Sequence, residues 1–210
     1  LRCLVGSEMC IRDSSMGVRV SRVAKLAEEI AMALGSNSVR VNRKGDAIAI
    51  EVPRDKTEPL RLLKLCENIG HVPNATAVLG IDEDGHPLLL KLPSPDVAHV
   101  LIAGTTGSGK TSLARSLLAS LALFNDPLDL QMVLIDPKRR GFHGLSSLPH
   151  VIGDVADNVQ TAVAQLERAI VEMERRDKAG EDRPVVVIAV DELADLIQNG
   201  GSKVERLLAR

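Results

Sequence analysis

Residues 104–111 read GTTGSGKT, which places three glycines, a lysine and a hydroxyl within eight positions. Glycine, four residues, then Gly-Lys-Thr is the Walker A pattern of a phosphate-binding loop. Gly104, Gly107 and Gly109 permit backbone angles that side chains forbid. The amides of Thr105, Thr106, Ser108 and their neighbours can then turn inward onto phosphate oxygens. A helix starting near Lys110 adds its positive end, and the Lys110 ammonium can reach β- and γ-phosphates. Thr111 offers a hydroxyl to Mg²⁺, a cation that prefers oxygen ligands. Such a match arises in about one random chain in a hundred of this length. Here an apolar strand-like run, HVLIA, precedes it and a helical run follows. That context outweighs the competing reading, a flexible loop that happens to hold a lysine. ATP and Mg²⁺ are the expected ligands.

The second chemical element is VVVIAVDELADL, residues 185–196. A β-branched run ends on Asp191, with Glu192 next. Ligands gather at the carboxyl ends of strands in parallel sheets, which predicts Asp191 near Thr111 and serving the metal. Glu192 is placed to orient or activate the water that attacks the γ-phosphate. Asp191 could equally cap the following helix, and the two roles are compatible. A small-molecule kinase would need a dedicated substrate lid, and no segment offers one. The Asp-Glu pair favours hydrolysis, so the reading is an ATPase core with Glu192 and Lys110 as its catalytic residues.

A third segment, LIDPKRRG at 134–141, carries Asp136 and Lys138 out of a strand beside the phosphate loop. These two could sense or orient the nucleotide, or pair with a neighbouring subunit. Equally, Asp136-Pro137 reads as a turn and Lys138-Arg139-Arg140 as a solvated basic patch. The five histidines show no metal-ligand spacing.

The elements that must position these residues follow from periodicity. From Val97 buried strand-like runs alternate with helical ones: VAHVLIA, a helix over 110–123, LQMVLID, an amphipathic helix over 157–176, VVVIAV as a fully buried strand, and helical sequence from Glu192 onward. That alternation predicts a parallel sheet with helices on its faces. Upstream, apolar residues recur at three and four from Val18 to Leu34, with Gly35 as a stop. SVRVN and DAIAIEV read as a hairpin around RKG, a short helix follows Pro59, and ATAVLGIDEDGHPLLLKL reads as two strands. The expected organisation is a small α+β module over 16–93, a linker at the PSP of 93–95, and a P-loop core over 97–210. The first fifteen residues, LRCLVGSEMCIRDSS, resemble the translated read-through of a sequencing adapter and are read as a tail foreign to the protein.

Composition narrows the partners. Net charge is −2, with 45% apolar and 26% charged residues, so nothing global marks a nucleic-acid binder. Phe124 and Phe142 are the only aromatics, which disfavours base stacking on rings and leaves phosphate contacts as the route to DNA. Three cysteines without zinc spacing or a secretory signal suit a reducing, cytoplasmic compartment, and Cys66 reads as a core residue. No apolar run approaches the roughly 20 residues of a membrane-spanning helix.

In order along the chain, HVLIAGTTGSGKT, VLIDPK, LPHVIGDV, AIVEMERR and VDELADLI resemble the motor domain of the FtsK/SpoIIIE DNA translocases. VSRVAKLAEEIAMAL, IEVPRD and VLGIDEDGHPLLLKL are similar to the small module that precedes it. The likeness covers about residues 17–210 and implies a truncated RecA-like sheet. It further implies a homo-hexameric ring that threads double-stranded DNA and moves along it by ATP hydrolysis, in chromosome segregation or DNA transfer. Carried over by motif, residues 104–111 bind ATP and Mg²⁺, Asp191 serves the metal and Glu192 the water. In such a protein the full-length chain can be anchored to the inner face of the cell membrane.

Three departures qualify the resemblance. Only DKAGEDRP joins the MERR helix to the Walker B strand, where the family has a longer segment that includes part of the DNA-facing pore. No DNA-contacting residue is therefore carried over. The chain stops at Arg210, before the sensor segment and the trans-acting arginine of the family. Neither membrane helices nor a winged-helix domain is present. A truncated fragment is expected, one that binds ATP poorly and does not translocate alone. The competing functions are a related hexameric ATPase driving protein secretion or plasmid conjugation, and a nucleotide-binding module that never cycles.

Overall fold

The computed structural model describes residues 2–3, 9–12, 20–45, 47–53, 59–82, 85–94 and 99–210. Val18, the acidic turn at 83–84 and residues 95–98 of the expected linker and strand fall outside them. The chain divides into two compact units, residues 1–65 with 80–88, and residues 66–79 with 89–210.

In the first unit, β1 (Arg2–Cys3), β2 (Met9–Arg12), β3 (Arg40–Lys44) and β4 (Ala47–Glu51) form an antiparallel sheet in the order β1-β2-β4-β3. The expected hairpin is present, with Lys44 opposite Ala47. Ile48 and Ala49 are buried. Residues 9–12, expected to lie outside the module, run antiparallel to β4. The single helix expected over 18–34 is two: α1 (Val20–Ala24) and α2 (Ala27–Ala33), separated by a turn at Lys25-Leu26.

After α3 (Leu62–Cys66), β5 (Thr76–Ile81) and β6 (Pro87–Lys91) pair as a ribbon. The division between units runs through this ribbon, not through the proline-rich segment at 93–95. The cause is burial. Ala75 and Ala77 share one apolar cluster with Leu117, Leu118 and Leu121 of α4 (Lys110–Phe124). Polar hooks reinforce it: Val78 N donates to Ser120 Oγ at 2.9 Å, and Ala75 N to Asn125 Oδ1 at 2.7 Å. Burial pushes the Cys66 thiol up from its ordinary pKa, in keeping with a core residue.

The second unit is built on β7 (Leu130–Ile135), which pairs in parallel with β8 (Val185–Val190), Leu130 opposite Val185 and Ile135 opposite Val190. Successive strand side chains face opposite ways. Leu130, Met132 and Leu134 therefore join α4 in one cluster, and Ile135 joins a second. That second cluster holds Ala162 and Leu166 of α5 (Val159–Ala179) and Leu196 and Val204 of α6 (Leu193–Leu208). A helix on one face and two on the other make the three-layer α/β core that alternation predicted.

Two expectations for this sheet fail. The run before the phosphate loop is not a strand: residues 99–105 have no ladder partner, and Leu101 is 78% exposed. The far side of β7 is occupied instead by bridges to Val151 and Ala156. The strand β8, expected to be fully buried, is half-buried, and its edge remote from β7 carries no partner among the described residues.

Helix α5 starts on a capping box in which Asn158 accepts from Thr161 N and the Thr161 side chain accepts from Asn158 N. It ends on Gly180 in the left-handed region. Near that end Glu172 accepts from Arg175 at 2.8 and 2.9 Å and from Arg176 at 2.7 Å. Arg175 first, then Arg176, hold the Glu172 carboxyl down at about 2. An unfolded glutamate titrates near 4.3, so this contribution to stability is complete above that pH and fades as pH falls toward 2. Glu172→Gln is expected to lower the melting temperature slightly at neutral pH and to converge with the parent as pH falls toward 2, which flattens that part of a melting-temperature-against-pH curve. Thermal melts from pH 2 to 7 test it.

Candidate functional site

The phosphate loop gains its shape from two left-handed glycines, Gly107 at φ +80° and Gly109 at φ +95°. Gly109 is also the residue on which α4 begins. At Gly104 the constraint is contact, since a Cβ there would come within 2.7 Å of Ser108 Oγ. Within residues 104–109 the backbone donates to itself once, from Ser108 N to Thr105 O at 3.2 Å. Residues 103–109 are exposed, so the loop presents its peptide groups to solvent at the N-terminus of a 15-residue helix. Lys110 reaches back over the loop and donates from Nζ to Thr105 O at 2.8 Å.

Asp191 leaves the end of β8 with its amide still in the ladder, donating to Ile135 O at 2.9 Å. Its two carboxylate oxygens each lie 3.4 Å from Thr111 Oγ1. That spacing is long for a hydroxyl-to-carboxylate hydrogen bond, whose usual range is about 2.5–3.0 Å. A hydroxyl and a carboxylate facing each other without closing suit a hard, oxygen-seeking cation. Asp191 Oδ1 also accepts from Glu192 N at 3.1 Å, fixing the rotamer. The two sequence elements, 80 residues apart, thus meet at one end of the sheet.

Glu192 sits beside them in a conformation unusual for its type, at φ +55° and ψ +48°. Its carbonyl accepts from Asp195 N and Leu196 N, the first bonds of α6. Lys138 faces its side chain, with Nζ 3.7 Å from Glu192 Oε2 and 3.5 Å from Asp195 Oδ1.

Asp136 has a different job from nucleotide sensing. It is fully buried, and its carboxylate accepts from Gly141 N at 2.8 Å, Phe142 N at 2.9 Å and Arg140 N at 3.3 Å. Arg115 of α4 donates to the carbonyls of Arg140 and Gly141 from the other side. Phe142 anchors the segment in the core. The loop after β7 is therefore clamped at both ends, and the turn reading of Asp136-Pro137 is the one that fits.

Sequence reading missed Gly141. A Cβ on it would overlap the Asp191 carboxylate, lying 2.9 Å from Cγ and 3.1 Å from Cβ. Its φ is not positive, so glycine is required here by close approach and not by backbone angle. An aspartate with a glycine five residues on hints at a side-chain-closed turn, but only the fold sets that glycine against Asp191. Among the described residues no group of three or more His, Cys, Asp or Glu could hold a metal, and no helix is long and apolar enough to cross a membrane.

The model of the FtsK/SpoIIIE family matches residues 70–179, and that of the FtsK alpha domain matches residues 11–54. The chain is 33% identical over 223 aligned positions to the DNA translocase FtsK of Campylobacter jejuni subsp. jejuni serotype O:23/36 (strain 81-176). That alignment takes in 93% of the chain but 23% of the relative, so the chain spans about a quarter of the length of such proteins. Among solved structures, the pCW3 conjugation coupling protein TcpA, in its monomer form with ATPgS, superposes with a TM-score of 0.56. It does so at 18% identity, over 98% of this chain and 62% of that one. The cytoplasmic domain of the Type VII secretion ATPase EccC from Thermomonospora curvata gives 0.53 at 25% identity, over 70% and 21%. The folds agree on a P-loop α/β core, and the matched model takes in more than half of the residues. The chain belongs to the FtsK/SpoIIIE family.

Proposed function

We propose that this chain is part of an ATP-hydrolysing motor that moves double-stranded DNA, working as a homo-hexamer on the cytoplasmic side of the membrane. The observation that carries the reading is the meeting of Thr111 with Asp191 under an ordered Walker A loop. It gains support from membership of the FtsK/SpoIIIE family and from a DNA translocase as a curated relative.

In this reading the amides of residues 104–111 and the start of α4 bind the triphosphate. Lys110 leaves Thr105 O for the phosphates and balances their charge. Thr111 and Asp191 would hold Mg²⁺, which when bound neutralises charge spreading over the phosphoryl oxygens. Glu192 aligns the attacking water and takes its proton. The change in charge at the loop then biases one subunit against the next.

The test is ATP turnover of the full-length protein with linear duplex DNA, with single-stranded DNA at equal phosphate concentration, and with neither. Duplex DNA is expected to stimulate most. A rate indifferent to duplex DNA would remove the DNA assignment and leave the ATPase standing. The resemblance to a secretion ATPase supports a second reading, a protein-translocating motor. Stimulation by an unfolded secretion substrate but not by duplex DNA would decide for it.

A further inference from the structure

The segment after β7 does more than turn the chain. It carries three cations in a row, Lys138, Arg139 and Arg140, and they go to different places. Arg139, itself at φ +54°, pairs with Asp157 just ahead of α5. Arg140 gives its carbonyl to Arg115. Lys138 alone of the three reaches the start of α6, where it lies between Glu192 Oε2 and Asp195 Oδ1.

Its anchorage makes this a fixed arrangement and not a roaming surface lysine. Lys138 follows Pro137, whose ring sets its own φ. Arg139 N closes the turn on Asp136 O at 3.0 Å. The buried Asp136 carboxylate then holds the amides of residues 140, 141 and 142, and Arg115 holds two carbonyls. The Glu192 backbone is equally fixed, by Asp191 Oδ1 at its amide and by α6 at its carbonyl. Two hydrogen-bonded backbones thus present opposite charges across a gap that one lysine side chain spans.

We infer that Lys138 is a positioning residue for Glu192, its ammonium holding the carboxylate in the one orientation from which it can align water. Asp195, in the first turn of α6, is the second arm that keeps the ammonium in place. The inference rests on the reading of Glu192 as the water-handling residue, and it gives the Asp-Pro-Lys segment a part in turnover without any contact to nucleotide. A partly exposed pair of this kind adds little to stability, so its effect belongs in the rate.

The experiment compares Lys138→Met, Lys138→Arg, Glu192→Gln and the Lys138→Met/Glu192→Gln pair in the full-length protein. Steady-state and single-turnover ATP hydrolysis are measured, together with affinity for a fluorescent ATP analogue. Lys138→Met is expected to lower kcat about tenfold, the size of one charge-assisted contact, with KM and nucleotide affinity within about twofold. Lys138→Arg should recover most of the loss, because the charge and reach are kept. The double variant should be no slower than Glu192→Gln alone, as expected of residues acting as one unit. A kcat for Lys138→Met within about twofold of the parent, or losses that multiply in the double variant, would overturn the inference while leaving the site intact. If Glu192→Gln itself hydrolyses at the parental rate, the role of Glu192 fails first and the positioning role falls with it.

Discussion

Lys110→Ala is expected to abolish nucleotide binding and turnover together, whereas Glu192→Gln should lose turnover alone. The two residues sit at the same end of the sheet, yet their surroundings assign them different duties. The Lys110 ammonium is held only by Thr105 O, inside a loop of exposed peptide groups. It is the cation available to a polyanion there, and charge-assisted contacts to phosphate are among the strongest in proteins. Its loss should weaken nucleotide affinity by about 100-fold or more. Glu192 has no hydrogen bond or ion pair to the loop among the described residues. Its carboxylate faces Lys138. Removing its charge should leave affinity near the parental value and cut turnover by about 100- to 10,000-fold, the usual worth of a general base. Titration with a fluorescent ATP analogue and single-turnover hydrolysis separate the two effects. Undiminished binding by Lys110→Ala would contradict the assignment of the loop.

The second large effect should come from one methyl group. Gly141→Ala puts a Cβ where the Asp191 carboxylate now lies. Neither side can yield easily. Gly141 is fastened through its amide to Asp136 and through its carbonyl to Arg115. Asp191 is fastened through its amide to Ile135 O and through Oδ1 to Glu192 N. The carboxylate must rotate away from Thr111, and a displacement near 1 Å in such a site can cost about 100-fold in rate. Over-packing of this kind also lowers stability, by about 1–3 kcal/mol. The expected signature is a kcat reduced about 100-fold and a lowered melting temperature, with nucleotide affinity in EDTA unchanged. Equal losses with and without Mg²⁺ would point to a collapsed loop and not to a displaced aspartate.

How far the sequence alone foretold this site depends on the range over which each constraint acts. The phosphate loop was legible because its glycines, lysine and threonine act within eight residues of one another. Asp191 and Glu192 were legible because a β-branched run ends on them and strand ends collect ligands. The sheet and helices from β7 onward followed from periodicity. Gly141 was not legible, since its need arises from a residue 50 positions away. The run before the loop reads as a strand from its apolar residues, but a strand is defined by pairing, and residues 99–105 pair with no other strand of the described residues. The break at Lys25-Leu26 was hidden by an apolar stripe that continues through it. Asp136 left two readings open because a buried staple and an exposed sensor use the same residue type. Only the donors around it decide.

The hooks between α4 and residues 75–78 carry a practical lesson for anyone shortening this polypeptide. Composition invites a cut near Pro93, just ahead of the nucleotide loop. Such a piece would leave Ser120 and Asn125 without the amides of Val78 and Ala75. It would also bare Leu117, Leu118 and Leu121, inviting aggregation in the test tube. A trimmed protein meant for calorimetry or crystal growth should begin ahead of Cys66, keeping the covering of α4 with it.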